Sequence, residues 1–77
     1  MIDEEIFNRL TGEYLTKVRE SLSLNQEEAA EHLNKSRSWL ACIENGLRGI
    51  RWVDLKEICK VYGITPSDVG KYIDENS

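Results

Sequence analysis

The reactive side chains of this 77-residue sequence support recognition chemistry, not bond making. There is one histidine, His32, and there are two cysteines, Cys42 and Cys59. No nucleophile–base pair and no glycine-rich phosphate loop is apparent. The two cysteines make at most one bridge and lack the paired spacing of a zinc site. The chain therefore reads as no enzyme, with no metal and no cofactor. Charge is more informative. Between Asn34 and Arg51 the cations Lys35, Arg37, Arg48 and Arg51 are accompanied by one acid, Glu44, so this segment carries +3 inside a chain of net charge −4. The remainder carries −7, with acids clustered at Asp3, Glu4, Glu5 and at Glu27, Glu28, Glu31. A basic stretch in an acidic protein suits phosphate neutralisation or an ordinary solvated surface, and charge alone leaves both open.

The elements that must position this stretch are helical. Apolar residues Ile6, Phe7, Leu10, Tyr14, Leu15, Val18 and Leu22 recur at three- and four-residue intervals, predicting a first helix over about Glu4 to Ser21 with a break available at Thr11-Gly12. Asn25, with Glu28 three residues on, predicts a capping box opening a second helix whose inner face holds Ala29, Ala30 and Leu33. Ser36 caps a third, with Leu40, Ile43, Glu44 and Leu47 on the inner face and a stop at Asn45-Gly46. A fourth runs from about Trp52 to Tyr62, burying Leu55, Ile58, Cys59 and Tyr62, and Gly63 ends it. Thr65-Pro66-Ser67-Asp68 opens a fifth, because proline suits a first helical position and Asp68 favours the positive end of the helix dipole. Strand signals, linkers and repeats are absent. The expectation is a single all-α domain over 1–77, five short helices in one bundle.

Helices two and three are joined by only Asn34-Lys35, which is the geometry of a helix-turn-helix over about 25–46. Asn34 tolerates the left-handed backbone such a turn uses, and Ala30 is small where the helices approach. A helix held clear of the bundle can enter the DNA major groove, about 12 Å wide, and present side chains to base edges. On a helical wheel, Ser38, Ala41, Cys42 and Asn45 face away from the inner residues, with Arg37 and Trp39 on the flanks. That outward face is small and polar, and arginine is the commonest bidentate partner of guanine.

The run Leu24-Asn25-Gln26-Glu27-Glu28-Ala29-Ala30-Glu31-His32-Leu33, followed by Ser36-Arg37-Ser38-Trp39-Leu40-Ala41-Cys42-Ile43-Glu44-Asn45-Gly46, resembles the lambda-repressor-like helix-turn-helix family that includes the Cro and Xre regulators. Leu55, Ile58, Tyr62-Gly63-Ile64 and Val69 match that family's closing helices, and the resemblance spans about Gly12 to Val69. It implies a sequence-specific transcriptional regulator of double-stranded DNA. By the same resemblance Arg37, Ser38 and Cys42 read bases, while Gln26 touches phosphate and Asn45 helps hold the DNA backbone. It also implies that Arg19 pairs with Glu44 as a structural ion pair.

Some positions depart from the family pattern. Lys35 stands where an apolar residue or threonine is common, which points it at phosphate. Trp39 replaces a small polar residue, leaving core packing and DNA-backbone contact equally open. Arg48 and Arg51 form the basic loop after the reading helix and are expected to contribute affinity. Arg51 also stands at the start of the fourth helix, where a cation is disfavoured by the dipole; a nearby phosphate would offset that cost.

Cys42 reads as a groove-facing small residue, with redox sensing the lesser alternative. Cys59 reads as core and His32 as solvated. Trp52 is left between core and dimer surface. A small domain buries a modest fraction of its surface, and oligomerisation is a common remedy. Trp52, Tyr62, Val69, Tyr72 and Ile73 supply apolar surface for a homodimer through about 52–75, set on an approximately palindromic operator. No signal-peptide pattern and no apolar run of about 20 residues is found, so a cytoplasmic protein of a bacterial or phage-infected cell is expected, without membrane contact. The rival reading is a protein-interaction module on the same scaffold, an antitoxin or acidic partner-binding protein, favoured by the overall acidity.

Overall fold

The computed structural model describes residues 2–77 as five α-helices, with no strand among the described residues. They are α1 (Glu4–Ser21), α2 (Gln26–His32), α3 (Arg37–Glu44), α4 (Trp52–Tyr62) and α5 (Pro66–Asn76). Four of the five starts are closed by a side chain. The Ile6 N–H donates to Asp3 Oδ1 at 2.8 Å, and the Trp39 N–H donates to Ser36 Oγ at 3.0 Å. Asn25 with Glu28, and Thr65 with Asp68, each form a reciprocal capping box, satisfying backbone donors that have no partner inside the helix. Only α4, which begins after Arg51, lacks a side-chain cap.

α1 is the hub, packing against α3 on one side and α5 on another, while α2 lies on α3 and α4 on α5. Leu10, Leu15, Leu40, Ile43 and Ile58 fill the centre, fully buried. The break available at Thr11-Gly12 is not used, and α1 runs unbroken through it. Gly12 has a different purpose. A Cβ there would lie 2.4 Å from the Glu44 carbonyl oxygen and 2.5 Å from that of Ile43, so glycine lets the end of α3 rest directly on the backbone of α1.

The connection between α2 and α3 passes through Asn34 in the left-handed region, φ 56°, and the Lys35 N–H donates back to the Ala30 carbonyl at 2.9 Å. α3 ends after Glu44, and the chain leaves through Gly46 at φ 70°. That early exit overturns one expectation: Leu47 lies outside the helix and is 74% exposed, not on the inner face. A second correction concerns the last two helices. Tyr62 is buried, as its place on the inner face of the fourth helix predicts, but Val69 and Ile73 are buried in the core as well, and Tyr72 stacks on Tyr14 with ring centroids 5.1 Å apart. The three α5 residues cover α1 and are not spare surface. Of the five apolar residues expected to be available, only Trp52 is, at 62% exposed. Cys59 is buried and His32 is exposed. No helix among the described residues is long and apolar enough to cross a membrane.

Candidate nucleic-acid interface

Two clusters of charge flank α3, one at each end. At its C-terminal end the Arg19 guanidinium donates to Glu44 through Nε to Oε2 at 2.7 Å and through Nη2 to Oε1 at 3.0 Å. Its remaining arm, Nη1, donates to the Leu24 carbonyl at 2.7 Å. A carboxylate at a helix C-terminus opposes the helix dipole, and the bidentate arginine offsets that. The hydrogen bond to Glu44 holds the Arg19 pKa above its ordinary value despite burial, which acts the other way. Gln26, first residue of α2, donates from Nε2 to Glu44 Oε1 at 2.9 Å. One carboxylate thus joins α1, the start of α2 and the end of α3. The Tyr62 hydroxyl is buried without a hydrogen-bond partner. Burial, and then the charge of Glu44, push its pKa up to about 12.

At the other end, Lys35 Nζ lies 3.4 Å from Asp54 Oδ1 and 5.0 Å above the Trp39 ring. Arg51 grips the same carboxylate, Nε to Oδ2 at 2.9 Å and Nη2 to Oδ1 at 3.4 Å. The hydrogen bond from Arg51 holds the Asp54 carboxyl below its usual range, with Lys35 acting in the same direction against burial. The dipole cost of a cation at the start of α4 is therefore offset internally by Asp54 and calls for no phosphate.

Between these clusters, Arg37 and Ser38 are exposed on the first turn of α3. Cys42, four residues beyond Ser38 and so on the same face, is half-buried with a free thiol. Asn45 and Arg48 are exposed beyond the end of α3, and Arg51 is exposed at the start of α4. Gln26, Lys35 and Trp39 are half-buried, and each is engaged within the protein as described. Sequence reasoning missed Asp54, although a signal was present: an acid three residues after a cation that opens a helix can fold back onto it.

The sequence profile of the helix-turn-helix domain family matches residues 11–70, which takes in both clusters and the exposed face between them. The chain belongs to the helix-turn-helix family. Within it, the resemblance to lambda-repressor-like regulators of the Cro and Xre type holds, and the protein is a DNA-binding transcriptional regulator. This helix-turn-helix protein is similar to control protein C.MunI of a Mycoplasma species, 37% identical over 59 residues, covering 75% of this chain and 80% of the relative. Its fold matches two crystal structures of the clp gene regulator ClgR from Corynebacterium glutamicum. One gives a TM-score of 0.86 at 21% identity, over 91% of this chain and 74% of that one. The other gives 0.85 at 22% identity, over 90% and 88%.

Proposed function

We propose that α3 enters the major groove of an operator, with Arg37, Ser38 and Cys42 reading bases and Gln26, Lys35, Trp39, Asn45, Arg48 and Arg51 facing the DNA backbone. The observation that carries this is the exposed Arg37–Ser38 turn at the free start of a helix whose far end is bolted to α1. A guanidinium so placed can bond guanine bidentately, whereas the residues around it set register against phosphate. Gln26 can serve both roles, since Glu44 takes one amide hydrogen and leaves the rest of the side chain available. As a DNA-binding regulator the protein acts in the cytoplasm of a bacterial or phage-infected cell. Its likeness to a control protein favours that kind of regulator over the protein-interaction reading.

The test is to select an operator from random duplexes and to compare affinities for it and for mixed-sequence DNA. Arg37→Ala is expected to cost about 1–3 kcal/mol on the operator and to relax preference at one base pair. Arg48→Ala is expected to weaken both duplexes alike and to flatten the salt dependence by about one unit. An operator-to-mixed ratio unchanged in Arg37→Ala would rule out this placement of the reading helix.

The protein works as a symmetric homodimer under the same reading. Phe7, Trp52, Ile50 and Pro66 border an apolar groove of ≈ 250 Å³ floored by Val69 and Ile73, and Trp52 and Val53 stand exposed at the start of α4. Pairing two copies there buries this surface and presents two reading helices to a roughly palindromic site, half-sites about 34 Å apart. Sedimentation equilibrium is expected to show a dimer at tens of micromolar, weakened by Trp52→Ser. A monomer protecting a single half-site would exclude the arrangement.

A further inference from the structure

We propose that Asp54 sets the strength of the DNA interface: by holding Lys35 and Arg51 it lowers the affinity of the protein for DNA of any sequence while leaving base reading untouched. This rests on the reading of Lys35 and Arg51 as backbone-facing residues.

Affinity that ignores sequence comes from cations replacing counterions on phosphates, and it grows with each phosphate neutralised. Two of the four cations in the basic segment already share a carboxylate. The Asp54 side chain is only 10% exposed, while the Arg51 side chain is 70% and that of Lys35 31% exposed. The anion is thus sheltered and held in place, and its two partners reach the surface from it. Together the three side chains present a charge of +1, where the two cations alone would present +2. A phosphate approaching Arg51 meets a guanidinium with Nε and Nη2 already turned onto Asp54, at 2.9 Å and 3.4 Å. Arg37 and Ser38 make no ion pair or side-chain hydrogen bond with Asp54. The attenuation consequently falls on the part of binding common to all sequences. Discrimination is a ratio of affinities, so a contribution common to all sequences cancels from it, and Asp54 lowers operator and mixed-sequence binding alike. In an acidic chain of net charge −4, Asp54 is an acid placed where its charge acts directly on the interface.

The experiment measures log affinity against log salt on a mixed-sequence duplex for the full chain. Asp54→Asn is expected to steepen the slope by about one unit, at about 0.9 per phosphate gained, and to leave the operator-to-mixed ratio unchanged. Glu75→Gln, which makes the same change in net charge at an α5 residue outside the ion pairs found among the described residues, is expected to leave the slope unchanged. Asp54→Ser provides a second, smaller replacement should the first fail to fold, and a thermal melt reads any structural part separately. A slope unchanged or shallower on loss of Asp54 overturns the proposal. The variant Arg51→Gln then locates the fault. If it flattens the slope, Arg51 does face phosphate and only the role of Asp54 is wrong. If it leaves the slope at the wild-type value, the placement of Arg51 against DNA falls as well.

Discussion

Each end of α3 lies beside one carboxylate shared between two donors, yet the two arrangements sit in different surroundings. Glu44 and Arg19 are 3% and 9% exposed at the side chain, and both charges of that cluster belong to the folded frame. Asp54 is nearly as sheltered, but Lys35 and Arg51 lead outward from it. A charge stranded in the first place has no water to turn to, so the cluster is costly to break. The cations of the second can exchange carboxylate for solvent, and exposed pairs of that kind contribute little to stability. α3 is thus fixed at its far end, while the charged side chains beside its near end can adjust.

Stability measurements can break this contrast. Arg19→Ala is expected to cost about 3–5 kcal/mol, because it leaves Glu44 buried without its bidentate partner. Replacing both Arg19 and Glu44 by apolar residues is expected to cost much less than the sum, and a double-mutant cycle without coupling would show the cluster to be incidental. Tyr62→Phe comes next. It removes a buried hydroxyl that has no partner, so a gain of about 1 kcal/mol is expected on denaturant titration. The pH dependence gives a second readout. An ordinary tyrosine loses its proton near pH 10, whereas Tyr62 in the fold keeps it to about 12. Its contribution is complete below pH 10 and is lost as pH rises from there through about 12, since the unfolded chain binds fewer protons in that window. Tyr62→Phe should lose that part of the alkaline slope and keep the rest. The smallest effect belongs to Arg51→Ala, whose melting temperature is expected to stay near that of the wild type. A loss there as large as for Arg19→Ala would erase the distinction between the two ends.

Much of the frame was legible because helix signals are local. The capping residues Asn25, Ser36 and Thr65 stand where their helices begin, and the first and fourth helices have the bounds their apolar spacing predicts. What escaped was tertiary. Gly12 reads in sequence as a helix breaker, but its missing Cβ is answered by the carbonyls of Ile43 and Glu44, more than thirty residues away. Val69 and Ile73 read as surplus apolar surface because no wheel of a single helix shows how much of α1 they must cover. At the site, the exposed positions of Arg37 and Ser38 follow from helix geometry, and that of Arg48 from its place in the loop after α3. Asp54 does not, because its importance lies in joining Lys35, from the turn after α2, to Arg51 at the start of α4.

The placement of the two tryptophans has a practical consequence. Trp39 is half-buried beneath Lys35 Nζ at the start of α3, whereas Trp52 is largely exposed beside the apolar groove. Indole emission shifts to the blue as water is withdrawn, so the two fluorophores begin from different wavelengths. Phenylalanine at either position leaves a molecule with one intrinsic dye. One such molecule reports on the helix proposed to meet DNA and the other on the groove proposed for pairing, so the order of those two events can be timed by light in unlabelled protein.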